Sequence, residues 1–107
     1  MTLDEYQALA RRTLGDRPPD QQLANAALGL AGEAGEVADH IKKHLFHTFP
    51  LDQGEVVKEL GDCLWYVAAM CTTLGISMDH VARTNVEKLR RRYPDGFSTE
   101  ASRNRVE

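Results

Sequence analysis

Apolar positions recur along the chain at intervals of three and four residues and nowhere alternate with the period of a strand. From Asp20 to about His44, Leu23, Leu30, Ala34, Val37 and Ile41 share one stripe at 100° per residue. From Asp52 to Gly75 a second stripe runs through Val56, Leu60, Leu64, Val67 and Cys71. The far side of that helix carries Trp65, Ala68, Ala69 and Thr72, so it is apolar nearly all round and should be buried on both sides. Local signals mark the ends. Thr2-Leu3-Asp4-Glu5 is a capping-box pattern opening a first helix that ends near Gly15. Asp20 is placed to cap the second helix, and Asp52 with Glu55 opens the third, which Gly75 closes. Ser77 opens a fourth, which carries Arg90, Arg91 and Arg92 into its negative end and stops at Tyr93-Pro94. The expected fold is all-α: a four-helix bundle over residues 1–96, completed by homo-oligomerisation as a dimer or tetramer, with residues 97–107 as an irregular tail.

The stretch "GLAGEAGEVADHIKK" breaks the economy of this pattern. It places Gly29, Gly32 and Gly35 inside a helix, each costing roughly 0.5–1 kcal/mol against alanine. Among them stand Glu33 and Glu36, on one edge of the stripe, with Gly29 between them on the wheel and His40 close by. The third helix repeats the arrangement with Glu59 and Asp62, joined on the same edge by Tyr66. One such pair alone would read as solvated surface acids. Two pairs on the inner edges of adjacent helices repel one another and are costly to desolvate, which a hard divalent cation resolves. Four carboxylates without imidazole or thiolate favour Mg²⁺, with Mn²⁺ as a substitute, over zinc. Because Mg²⁺ usually meets phosphate, a phosphorylated metabolite is the expected substrate class. His40 and His44 have helical zinc-pair spacing but no third convergent ligand.

Length and charge narrow the classes further. The chain's 107 residues make one domain, and a net charge of −3 excludes the dominant basic field of a nucleic-acid or membrane-surface binder. Cys63 and Cys71 lie about 12 Å apart along one helix, too far for a disulfide, and read as reduced thiols of a cytoplasmic protein. The start "MTLDEYQ" has no signal-peptide pattern, and no apolar run reaches the ~20 residues of a membrane span.

Three ordered blocks, "GLAGEAGEVADHIKK", "KELGDCLWYV" and "NVEKLRRRYPDGF", closely resemble the MazG-like nucleotide pyrophosphohydrolases of the all-α NTP pyrophosphatase superfamily over nearly the whole chain. The family's ExxE and ExxD motifs fall on Glu33, Glu36, Glu59 and Asp62, and its third block on Asn85, Lys88, Arg92 and Tyr93. The resemblance implies Mg²⁺-dependent hydrolysis of a nucleoside triphosphate to the monophosphate and pyrophosphate in a homo-oligomer. Glu33 is then expected to orient or deprotonate water, with Glu36, Glu59 and Asp62 mainly ligands.

The remaining candidates serve the substrate. Lys43 lies on the acidic edge, whereas Lys42 does not, and Lys88 and Arg92 are four apart and can face one phosphate group together. Tyr66 is one turn beyond Asp62, within reach of a base or ribose, while Trp65 points away and suits an interface. Competing readings are a dimeric dUTPase, a phosphoribosyl-ATP pyrophosphohydrolase, or a non-catalytic helical interaction module. A carboxylate-bridged di-iron bundle would want Glu-x-x-His on two helices, and neither pair has it.

Overall fold

The computed structural model describes residues 1–105, and the described residues are all-α. Helices α1 (Leu3–Arg11), α2 (Pro19–Phe46), α3 (Gln53–Leu74), α4 (Met78–Arg92) and α5 (Thr99–Arg103) follow in order. α2 and α3 form a long antiparallel hairpin, the most extensive packing in the chain. α1 lies on α3, and α4 packs on α1 and the end of α3.

Local chemistry explains most of the ends. Thr2 and Glu5 close a reciprocal capping box: the Glu5 amide donates to Thr2 Oγ1 at 3.0 Å and the Thr2 amide to Glu5 Oε1 at 3.2 Å. Asp52 accepts from the Glu55 amide and Ser77 from the His80 amide, as the sequence predicts. Gly75 ends α3 at φ +71°, a left-handed conformation that glycine adopts without a Cβ penalty. Two ends differ from expectation. α2 starts at Pro19 rather than after Asp20, because a proline in the first turn has no amide to satisfy and its φ is already helical. α1 stops at Arg11, short of Gly15. The tail is not wholly irregular either: Ser98 Oγ accepts from the Ala101 amide and starts α5. The last residues of the expected tail, 106–107, lie outside the described residues.

α1 also sets the course of α4. Gln7 Oε1 accepts from the Met78 amide at 2.7 Å and Asp4 Oδ1 from the Asp79 amide at 3.0 Å, so two amides of the first turn of α4 are capped from α1. Gln7 Nε2 donates in turn to the Ile76 carbonyl and to Thr72 Oγ1. Beneath this joint Ala68, Cys71 and Met78 are buried, with Tyr6, Ala10 and Val67 packed against them.

The predicted stripes are only partly covered. Buried apolar residues among those described are Ala26, Ala68, Ala69, Cys71 and Met78. Leu60 and Leu64, expected in the core, are 53% and 37% exposed, and Ile41 is exposed as well. On α2 the exposed residues Ala27, Ala31, Ala34, Ala38, Ile41 and Leu45 follow one another at alternating steps of four and three, the spacing of a helix-packing seam. Ala34 follows Glu33 and Leu60 follows Glu59. An equal rotation on two antiparallel helices leads to the same side of the pair, so the two exposed apolar ridges face one way. The radius of gyration is 16.8 Å, against about 13 Å expected for a compact domain of this length. Trp65 does not contribute to that open face. Its Nε1 donates to Thr13 Oγ1 at 2.8 Å and its ring meets Tyr66 edge-on, so the indole is occupied within its own chain.

Candidate metal centre

The α2–α3 hairpin converts two separate i, i+3 pairs into one acidic centre. Ligand atoms of Glu33, Glu59 and Asp62 lie within 4.8 Å of one another, the two glutamates half-buried and Asp62 exposed. Glu36 stands on the exposed rim and acts on the centre through its charge. The Glu33 carboxyl is pushed up to about 6. The largest cause is a hydrogen bond shared with Glu59; desolvation follows, and then the charges of Asp62, Glu59 and Glu36. The three convergent carboxylates therefore hold a proton where three separate ones would not.

The raised value carries a pH dependence with a definite sign. A carboxyl whose pKa is higher folded than unfolded stabilises the fold below its ordinary value of 4.5 and loses that contribution as pH rises through about 6. In chelator, melting temperature should fall between pH 4.5 and 6.5, and fall less in Glu33→Gln. Added Mg²⁺ should restore it above pH 6. Parallel melting curves of the two proteins with the same pH profile would remove Glu33 as the cause.

Gly29 is what lets the hairpin close at this level. A Cβ on it would overlap Cε1 and Cζ of the Tyr66 ring, so the ring packs directly on bare α2 backbone. Gly32, Gly35 and Gly61 face open space instead. Tyr66 is thus held between Gly29 and Trp65 beside the acids.

Two neighbours of the centre have no motif behind them. His40 Nε2 stands 3.8 Å from Glu59 Oε1. Tyr6 reaches the centre from α1, and its phenol is pushed up by burial first and then by the Asp62 charge. The wheel put His40 near the acids, but nothing in the sequence pointed to Tyr6, because only tertiary packing brings α1 there.

The expected phosphate-binding residues are placed differently. Lys43 Nζ pairs with Asp39 Oδ2 at 2.8 Å on its own helix, and its ammonium pKa is raised chiefly by that bond. Asn85 and Lys88 line an open cleft of about 350 Å³ on α4 with His80, Val81 and Thr84, away from the acids. Arg92 is half-buried, and the Tyr93 ring packs on Phe97 with centroids 5.4 Å apart. One chain therefore gathers the acids and leaves the α4 block elsewhere.

Comparison with known proteins bears on the whole arrangement. The MazG nucleotide pyrophosphohydrolase domain matches residues 21–97, which include both acidic pairs and the α4 block. The Gene 37 protein of Mycobacterium phage L5 is 32% identical over 114 aligned residues, covering 98% of this chain and 100% of that protein. No solved structure matches the chain. With acids, helices and α4 block in the family's order over most of its length, the chain belongs to the MazG nucleotide pyrophosphohydrolase family.

Proposed function

We propose that the protein is a cytoplasmic, Mg²⁺-dependent nucleoside triphosphate pyrophosphohydrolase that cleaves (d)NTP to (d)NMP and pyrophosphate, clearing unwanted nucleotides from the pool. The supporting observation is the convergence of Glu33, Glu59 and Asp62 from two helices in a chain of this family. Among the described residues no single helix is long and apolar enough to cross a membrane.

The donor set fits a hard cation. All its atoms are carboxylate oxygens, and the proton held at Glu33 is a measure of the charge a cation would relieve. Glu59 and Asp62 would hold the ion, with Glu36 joining from the rim. Bound Mg²⁺, or Mn²⁺ in its place, supplies neutralisation of the charge that develops on the phosphoryl oxygens. Glu33, which converges on the same point, is also assigned to the water, which its carboxylate would orient or deprotonate. The assay is pyrophosphate release from a panel of nucleoside triphosphates. Activity should vanish in excess EDTA and return with Mg²⁺ or Mn²⁺; full turnover in EDTA would rule out the metal assignment.

The exposed ridges of α2 and α3 are proposed to seat a second copy, making a dimer or a tetramer. Light scattering at micromolar concentration should give a multiple of 12.0 kDa, and Leu60→Glu with Leu64→Glu should reduce it toward the single chain. A 12.0 kDa particle for the unmodified protein contradicts this assignment.

A further inference from the structure

Glu59 of α3 is met by two different turns of α2. Glu33 and His40 stand seven residues apart on that helix, two turns or about 10.5 Å along one face. Glu59 shares a hydrogen bond with Glu33, and its Oε1 lies 3.8 Å from His40 Nε2. The contact with His40 differs in kind from the ion pairs of Asp39, Glu55 and Asp79. Each of those lies within one helix, three or four residues apart, on side chains 39–76% exposed. His40 and Glu59 instead join two helices, and their side chains are 32% and 19% exposed.

A glutamate that offers an oxygen to a cation needs its carboxylate held in place, because its rotatable bonds otherwise let it swing away. Glu33 is no independent anchor, since it is itself one of the converging acids. Lys43 serves other acids: Asp39 holds it at 2.8 Å, and its charge acts on Glu36. An imidazole suits the task. In its neutral form one ring N–H donates to a carboxylate oxygen, and the carboxylate has a second oxygen left for the centre. Closing the 3.8 Å separation by under about 1 Å makes a hydrogen bond, a shift that side-chain rotation supplies. His40 stays outside the converging set, in which atoms of Glu33, Glu59 and Asp62 lie within 4.8 Å of one another.

We propose that His40 is a positioning residue of the metal centre: its Nε2–H anchors the Glu59 carboxylate from outside the ligand set and so fixes the oxygen that Glu59 turns to the cation. This rests on the Mg²⁺-dependent reading given above, and the experiment separates the two failures.

The measurement is binding of Mn²⁺ alone, read as loss of the free-ion electron paramagnetic resonance signal at about pH 8, where imidazole is neutral. His40→Phe should weaken Mn²⁺ binding by roughly 10–100-fold, the usual cost of losing a hydrogen bond behind a ligand. His40→Gln, whose amide N–H can donate in place of the ring, should recover most of that affinity. Both variants should keep their helical circular dichroism in chelator, where no ion is held. Mn²⁺ uptake by His40→Phe equal to that of the unmodified protein overturns the inference. So does a His40→Gln protein that binds as poorly as His40→Phe. Electron spin-echo spectra that show nitrogen bonded to Mn²⁺ in the unmodified protein, and none in His40→Phe, would make His40 a ligand and overturn it as well. An unmodified protein that takes up no Mn²⁺ refutes the metal centre itself, and this inference falls with it.

Discussion

Glu59→Ala and Asp62→Ala are each expected to lower kcat/KM for nucleoside triphosphate hydrolysis by on the order of 10³-fold or more, a loss of about 4 kcal/mol of transition-state stabilisation. Each removes one of the three carboxylates whose oxygens converge on one point. The fold should survive. The three convergent acids repel one another without a cation, so deleting one relieves that repulsion, and the melting temperature in chelator should hold or rise. Melting curves recorded beside a pyrophosphate assay decide the matter. Loss of helicity together with loss of turnover would make these acids structural.

Gly29→Ala should be the most damaging small substitution away from the acids. The added methyl overlaps the Tyr66 ring, and overpacking of this kind costs about 1–3 kcal/mol. The better helix propensity of alanine returns roughly 0.5–1 kcal/mol, leaving a net loss of about 1–2 kcal/mol, several degrees in melting temperature. Adding Gly29→Ala to Tyr66→Ala should cost nothing further, a strongly non-additive pair. Gly32→Ala and Gly35→Ala meet open space and should stabilise the single chain. If Gly29→Ala behaves like those two, the ring is not what the glycine accommodates.

The three glycines show where sequence reading stops. "GLAGEAGE" says that helix propensity has been given up, and suggests close approach, but not which glycine faces what. Capping is legible because it is local: Thr2, Asp52 and Ser77 each bond an amide three residues ahead in the sequence. Asp20 was misleading since the adjacent proline pair starts the helix on its own. The acidic centre was legible because i, i+3 spacing survives folding and only one hairpin was needed to join the two pairs. Tyr6 was not, because it comes from a separate helix and its role depends on where α1 docks. The α4 block lies within the family match, yet Asn85 and Lys88 line a cleft on α4 apart from the acids, a placement that spacing along the chain does not give.

The joint between α1 and α4 bears on how the molecule can be cut and how it folds. The family match begins at residue 21, so all of α1 lies outside it. Yet Asp4 and Gln7 close hydrogen bonds to amides 75 and 71 residues away. Such contacts are long-range in sequence, the kind whose loop-closure cost slows folding. A protein trimmed to the matched residues 21–97 would keep all four acids and nearly all of both long helices but lose the hydrogen bonds from α1 that hold the first turn of α4. An N-terminal fusion placed hard against Thr2 would crowd the same capping box. The first eleven residues fix the direction of α4, and the described fold extends beyond the residues that the family model matches.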